Sequence, residues 1–163
     1  MKRPDLIQTK ILSLHEAVQR VAQWRLSSKK IAFTNGVFDI LHQGHLYSLS
    51  QAAAEADCLV VGLNADASVK RLKGDTRPVN NQDSRALVLA SLLLVDIVVI
   101  FEEDTPLELI KALLPDVLIK GGDYTTEQIA GAKEVLANGG RVVINPILEG
   151  FSTTGIISRI KSE

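Results

Sequence analysis

The chain has 163 residues, 46% of them hydrophobic and only 4% aromatic, enough for one domain that buries about 70% of its unfolded surface around an aliphatic core. With 18 Lys and Arg against 19 Asp and Glu, the formal charge is −1, which offers no general field to nucleic acid or to a membrane surface. The basic excess and interleaved aromatics of a nucleic-acid-binding module are absent from the sequence.

Residues Met1 to Lys10 are polar and lack the apolar centre of a signal peptide. Ser13-Leu14-His15-Glu16 has the form of a capping box and predicts a helix to about Leu26; His15, in its first turn, reads as solvated or capping. A short apolar strand is expected over Ile31 to Thr34. A helix from Gly44 to Ala56 follows from the spacing of Leu46, Leu49, Ala53 and Ala56. Cys58 to Leu63 is an apolar run without alternation, which suits a parallel strand covered on both faces. Cys58 is the only cysteine, which excludes an intrachain disulfide and fits a reducing compartment, so a cytoplasmic location is expected.

Asn64 to Asp83 is polar and irregular. A helix from about Ser84 to Leu94 and a strand from Ile97 to Phe101 come next; the apolar stretch Ala86 to Phe101 is too short for a bilayer span and contains Ser91 and Asp96. Thr105-Pro106 opens a further helix, with Pro at its first position, and Pro115 closes it. Val117 to Lys120 reads as a strand, Gly121-Gly122-Asp123-Tyr124 as a turn, and Thr126 to Ala137 as a helix ended by Asn138-Gly139-Gly140. Arg141 to Asn145 makes the fifth strand, and Ser152-Thr153-Thr154 caps a last helix to about Ile160.

Strands alternating with helices predict an α/β fold, a Rossmann-like doubly wound parallel sheet of about five strands. Ligands of such sheets bind beyond the carboxyl ends of the strands. The polar clusters fall there: Asn35 to His45, Asn64 to Asp66, Gly121 to Tyr124 and Glu149 to Thr154.

Within the first cluster, His42-Gln43-Gly44-His45 puts two imidazoles three residues apart at the opening of a helix. They share one face, and a helix N-terminus presents unpaired N–H groups and the positive end of the macrodipole. Gly44 would let a ligand approach the backbone. The arrangement reads as a nucleotide phosphate site. A zinc pair is the alternative, but His15 and Cys58 are far off in sequence, so carboxylates would have to complete it. Two incidental surface histidines are the other.

The run Thr34-Asn35-Gly36-Val37-Phe38-Asp39 with His42-Gln43-Gly44-His45 resembles the signature of the cytidylyltransferase-like nucleotidyltransferase superfamily. Within it, the chain is most similar to the heptose 1-phosphate adenylyltransferases of lipopolysaccharide biosynthesis. Arg71-Leu72-Lys73-Gly74, Arg77-Pro78-Val79-Asn80, Glu103-Asp104-Thr105-Pro106, Lys120-Gly121-Gly122-Asp123-Tyr124 and Glu149-Gly150-Phe151-Ser152-Thr153-Thr154 look like further blocks of that family. Leu93 and Ile147 stand where related glycerol-phosphate cytidylyltransferases carry arginines.

The resemblance implies transfer of AMP from ATP to D-glycero-β-D-manno-heptose 1-phosphate with release of pyrophosphate. His42, His45 and Lys73 would be catalytic. Thr34, Asn35, Gly36, Phe38, Gly44, Ser152, Thr153 and Thr154 would hold the nucleotide. Asp39, Asn64, Asp66, Arg77, Lys120, Gly121, Gly122 and Asp123 would meet the acceptor. Mg²⁺ would enter with ATP rather than on a dedicated carboxylate cage. Residues 1–29 would be a helical lead-in, like that of forms without a fused sugar kinase, and 30–163 the transferase domain. A homodimer is expected through the helix at Ser84 to Leu94, which is apolar around most of its circumference. A cytidylyltransferase for a polyol phosphate such as glycerol 3-phosphate, or a catalytically silent nucleotide-binding module, is the other reading.

Overall fold

A computed structural model describes residues 3–162. Five parallel strands form one sheet in the order β3-β2-β1-β4-β5: β1 Ile31–Gly36, β2 Cys58–Asn64, β3 Ile97–Phe101, β4 Val117–Gly121 and β5 Arg141–Asn145. All seven residues of β2 are buried, in keeping with its unalternating sequence. The strand starts are fixed by carboxylates: Asp116 accepts from the Ile31 N–H at 3.0 Å, Asp57 from the Lys30 N–H at 2.7 Å, and Asp96 from the Leu59 N–H at 2.8 Å. Each supplies an acceptor that the parallel ladder lacks at that point.

Helices cover both faces. On one lie α1 (Leu14–Leu26), α5 (Leu107–Leu113) and α6 (Ala132–Ala137), whose Val21, Ile110 and Val135 pack on Phe33, Val60 and Leu118. On the other lie α2 (Gln43–Ala53) and α4 (Gln82–Ala90), whose Leu49, Ala52 and Leu89 pack on Ala32, Val61 and Ile119. The capping box at α1 is formed, with the Ser13 hydroxyl accepting from the Glu16 N–H and Glu16 from that of Ser13. The lead-in joins the same core, since Ile11 bridges to Val98 and Lys10 donates to the carbonyls of Leu92 and Val95 at 3.2 and 2.7 Å.

The structure departs from the sequence reading in several element bounds, with α2 stopping at Ala53 and Pro106 standing at the N-cap of α5 rather than in its first turn, and more substantially in three places. The polar stretch expected to be irregular holds α3, Asp66–Lys73, which buries only Ser68 and Val69 and so shows no apolar stripe. The helix α4 begins two residues early, capped by Asn81 through the Ser84 N–H, and ends at Ala90; residues 91–94 turn instead. Leu87, Val88 and Leu93 are left exposed, so within the protomer α4 is buried along one face only. The helix expected over Thr126 to Ala137 is split into a 3₁₀ turn, Thr126–Gln128, and α6, by Gly131 at φ 83°. A Cβ there would lie 2.6 Å from Ile110.

Candidate active site

The central strand β1 ends at Gly36, where a Cβ would come within 2.9 Å of the Phe38 ring. Phe38 itself sits in the left-handed region at φ 48° and packs its ring on His45 at 5.3 Å. His42 takes the N-cap position of α2, and no side chain caps that helix, so its leading N–H groups remain available to an anion. His42 and His45 stack with centroids 3.8 Å apart and planes at 20°.

Both Nδ1 atoms are buried and, among the described residues, have no partner at hydrogen-bonding geometry. Burial lowers the pKa of His42. Burial and the neighbouring His42 lower that of His45 to about 4, against a small opposing contribution from the Ile40 carbonyl. Both rings therefore favour the neutral form at pH 7. A nearby anion would favour their charged forms.

Gly44 differs from its sequence reading. Its vacant Cβ position lies 3.1 Å from the His42 ring and 3.1 Å from the Phe151 Cβ, so the glycine admits protein rather than leaving a gap for ligand. Phe151 leads into α7, Thr153–Lys161. The Ser152 hydroxyl caps that helix by accepting from the Gly155 N–H at 3.0 Å. Thr153 donates to the Ile40 carbonyl at 3.4 Å, and Thr154 is exposed in the first turn. The N-termini of α2 and α7 thus meet beside the histidine pair. Thr34 lies on β1 just before this loop.

A cavity of about 370 Å³ lies at the carboxyl ends of β1, β2 and β4. Asn35, Asn64, Lys73 and Lys120 line it together with Tyr124 and Gln128. His42 and His45 are not among its lining residues, whereas Gly36 and Val37 of the loop between β1 and the histidines are. Asn35, expected on the nucleotide side, faces this cavity, with its Oδ1 3.4 Å from the Lys120 Nζ. Asn64 spends its amide on the Ser68 hydroxyl at 3.0 Å. Gly121 and Gly122, the latter at φ 114°, turn the chain away from β4. Asp123 is exposed and outside the cavity lining.

Asp39, Asp66 and Arg77, expected at the acceptor, are occupied by protein. The Asp39 carboxylate is buried and accepts from the Arg77 Nε at 2.6 Å and from the Val79 and Asn80 N–H groups at 2.8 and 2.9 Å. Burial works to raise its pKa, but those backbone N–H groups and Arg77 outweigh it and hold the carboxyl below its ordinary value. Asp66 pairs with Arg85 at 2.7 Å. Arg85, buried, also donates to the carbonyls of Asn80 and Val37 at 2.9 and 2.6 Å. Together Asp39 and Arg85 bolt the 77–80 segment to the loop that carries the histidines. From sequence, Arg85 reads as near the polar crevice or in an ion pair at the start of its helix, and the ion pair is formed, with Asp66; a buried guanidinium must find partners. Asn80, Tyr124 and Gln128 were not assigned site roles from sequence.

A parallel sheet flanked by helices on both faces, with two helix N-termini meeting beside paired imidazoles at the carboxyl edge, defines an α/β protein of Rossmann-like architecture. The cytidylyltransferase-like family model matches residues 33–159, and the chain belongs to that family. It is 55% identical over 152 residues to the bifunctional protein HldE of Rhodospirillum rubrum, covering 93% of this chain and 31% of that protein. The bifunctional protein HldE of Caulobacter vibrioides is 55% identical over 155 residues, covering 95% and 32%. The chain thus spans about a third of the length of the curated relatives it matches. A solved lipopolysaccharide core biosynthesis protein from Thermoplasma volcanium superposes with a TM-score of 0.59 at 28% identity, over 74% of this chain and 97% of that one. The pantoate-β-alanine ligase of Francisella tularensis shares the fold, with a TM-score of 0.56 at 17% identity over 93% of this chain and 76% of that one.

Proposed function

We propose that the protein is a sugar-phosphate adenylyltransferase that joins ATP to D-glycero-β-D-manno-heptose 1-phosphate, giving ADP-heptose and pyrophosphate for lipopolysaccharide core synthesis. The observation that carries this reading is the stacked histidine pair at the N-terminus of α2, faced by the N-terminus of α7, in a chain so similar to HldE proteins. An oxygen of the sugar phosphate attacks the α-phosphorus of ATP in line. The new P–O bond forms as the bond to the β-phosphate oxygen breaks, and pyrophosphate leaves with the electron pair. No protein nucleophile is needed, so catalysis consists of positioning and charge stabilisation.

His42 and His45 donate to triphosphate oxygens, as do the leading N–H groups of α2 and α7. The pair acts as a unit. Two stacked imidazolium rings repel, so the first proton taken up near the anion opposes the second. Lys73 supplies a point charge from the cavity side. Among the described residues no group of three or more His, Cys, Asp and Glu could hold a metal, and Mg²⁺ would ride on triphosphate oxygens and water, neutralising charge on the leaving group. An ATP-consuming step suits the cytoplasm, and no described helix is long and apolar enough to cross a membrane. Exposed Leu87, Val88 and Leu93 support a homodimer through this edge, which light scattering at micromolar concentration would test.

The decisive experiment is pyrophosphate release across ATP, CTP, GTP and UTP, crossed with heptose 1-phosphate, glycerol 3-phosphate and other sugar 1-phosphates. Turnover of CTP with glycerol 3-phosphate while ATP is ignored would refute the adenylyltransferase assignment, and no turnover of any pair would favour a silent binding module.

A further inference from the structure

Lys120 is a cation in an unusual setting. It stands next to last in β4, largely removed from water, and burial lowers its pKa. Among the described residues no carboxylate lies within salt-bridge distance of it. Its contacts are a long hydrogen bond to the Asn35 Oδ1 at 3.4 Å and the face of Tyr124, 5.6 Å from the ring centroid. The one carboxylate lining the same cavity, that of Asp104, is taken by Arg71 at 2.7 Å. Lys73, also on the cavity wall, has no carboxylate partner among the described residues either. Burying an ammonium without a counter-charge costs stability, and a long hydrogen bond and one aromatic face offset only part of that cost. An anionic ligand would offset the rest.

The cavity volume falls in the range of small-molecule sites. Its lining pairs two cations with hydroxyl and amide groups (Tyr124, Gln128, Asn35), a set suited to a phosphate carried on a polyhydroxylated body. Gly36 and Val37, from the loop that leads to the histidines, also line this space.

We propose that Lys120, oriented by Asn35, anchors the phosphate of the acceptor in this cavity, with Lys73 as the second cation and Tyr124 and Gln128 facing the sugar. The inference rests on the reading of the protein as a transferase to a phosphorylated acceptor. Of the residues the sequence offered for the acceptor, it gives Lys120 the phosphate rather than a sugar hydroxyl, and leaves out Asp123, which is exposed and outside the cavity lining.

The test is K120M, with K120R as the conservative variant. Heptose 1-phosphate and ATP are each varied with the other saturating, and melting is followed with inorganic phosphate in the presence of a non-hydrolysable ATP analogue that fills the nucleotide site. K120M should raise KM for the sugar phosphate by about tenfold to a hundredfold, the loss expected of a charge-assisted contact. KM for ATP should stay within about threefold, and K120R should recover part of the loss. Without ligand, K120M should melt at or above the wild-type temperature, because an uncompensated charge has gone. Phosphate should raise the melting temperature of the wild type but not of K120M. An unchanged sugar-phosphate KM in K120M, or a rise in KM for ATP instead, would overturn the proposal. If the wild type turned over no sugar phosphate, the transferase reading would fall. The melting arm would still decide the phosphate site: a phosphate response lost in K120M upholds it, and an equal response in both proteins refutes it.

Discussion

Replacing Asp39 should destabilise the protein far more than its place in a surface loop suggests. Its side chain is 1% exposed and that of Arg77 15%, and the carboxylate also accepts from two backbone N–H groups. D39A would strand a largely buried guanidinium and leave both N–H groups unpaired. Breaking a buried pair from one side costs about 3–5 kcal/mol, a large share of a typical total of roughly 5–15 kcal/mol. R77M removes the charge but keeps both backbone donors on the carboxylate, so it should cost about 2 kcal/mol less than D39A. D39N retains an acceptor oxygen and should fall near 1.5–3 kcal/mol, about the worth of hydrogen bonds to a charged group. Urea unfolding at pH 7 with an unchanged slope would measure all three. A carboxyl whose folded pKa is depressed stabilises the fold above its unfolded value, about 4, and loses that contribution as pH falls through the lower folded value. The gap between wild type and D39N should accordingly close below pH 4. D39A within 1 kcal/mol of wild type, or R77M more costly than D39A, would refute this account.

Loss of either histidine should lower kcat on the order of 10²–10³ with a smaller change in KM, as for an oxyanion donor; full activity in H45A would remove the assignment. Because the folded pKa of His45 is lowered to about 4, the unfolded chain binds that proton more readily. Stability should therefore be full above about pH 6.5 and decline as pH falls from there toward 4, a slope that H45Q should flatten in thermal melts across that window. G44A would push a methyl against the His42 ring and the Phe151 Cβ, each 3.1 Å away, and should depress kcat with little change in melting temperature. G140A would set a Cβ 2.9 Å from the Asp116 carbonyl oxygen and 3.0 Å from that of Pro115, backbone that cannot yield, and should cost about 1–3 kcal/mol, read by urea unfolding.

The sheet and its site end were legible because the buried strands are written as apolar runs and the loops after them as polar clusters. The stretch Cys58 to Leu63 is the clearest case. Helix α3 was not legible, since hydrophobic periodicity needs a buried face and α3 has only Ser68 and Val69 on one. Its other signals were charge and punctuation: Asp66 in the first turn, Lys70, Arg71 and Lys73 in the last, and Gly74 after it. The histidine pair could be placed from spacing alone. The partition of polar residues between ligand and scaffold could not, because Asp39 and Arg77 are far apart in sequence and only the folded loop brings them to 2.6 Å. The direction in which Asn35 faces, toward Lys120 and the cavity, is fixed by the pleat of β1 and its pairing with β2.

The two jaws beside the histidine pair, the N-termini of α2 and α7, hang from very different supports. One, α2 with its histidines, follows β1, which has a neighbouring strand on each side and core on both faces. The other, α7, follows the edge strand β5 and buries none of its residues fully. Local opening draws on the parts of a protein with the least buried contact. Amide protons in α7 should therefore exchange through excursions that leave β1 and α2 intact, and only a fraction of the global unfolding free energy is needed to swing that jaw aside. In the proposed reaction the paired imidazoles would then keep their alignment between turnovers, while entry of a bulky nucleotide and escape of pyrophosphate would proceed by loosening the outer helix alone.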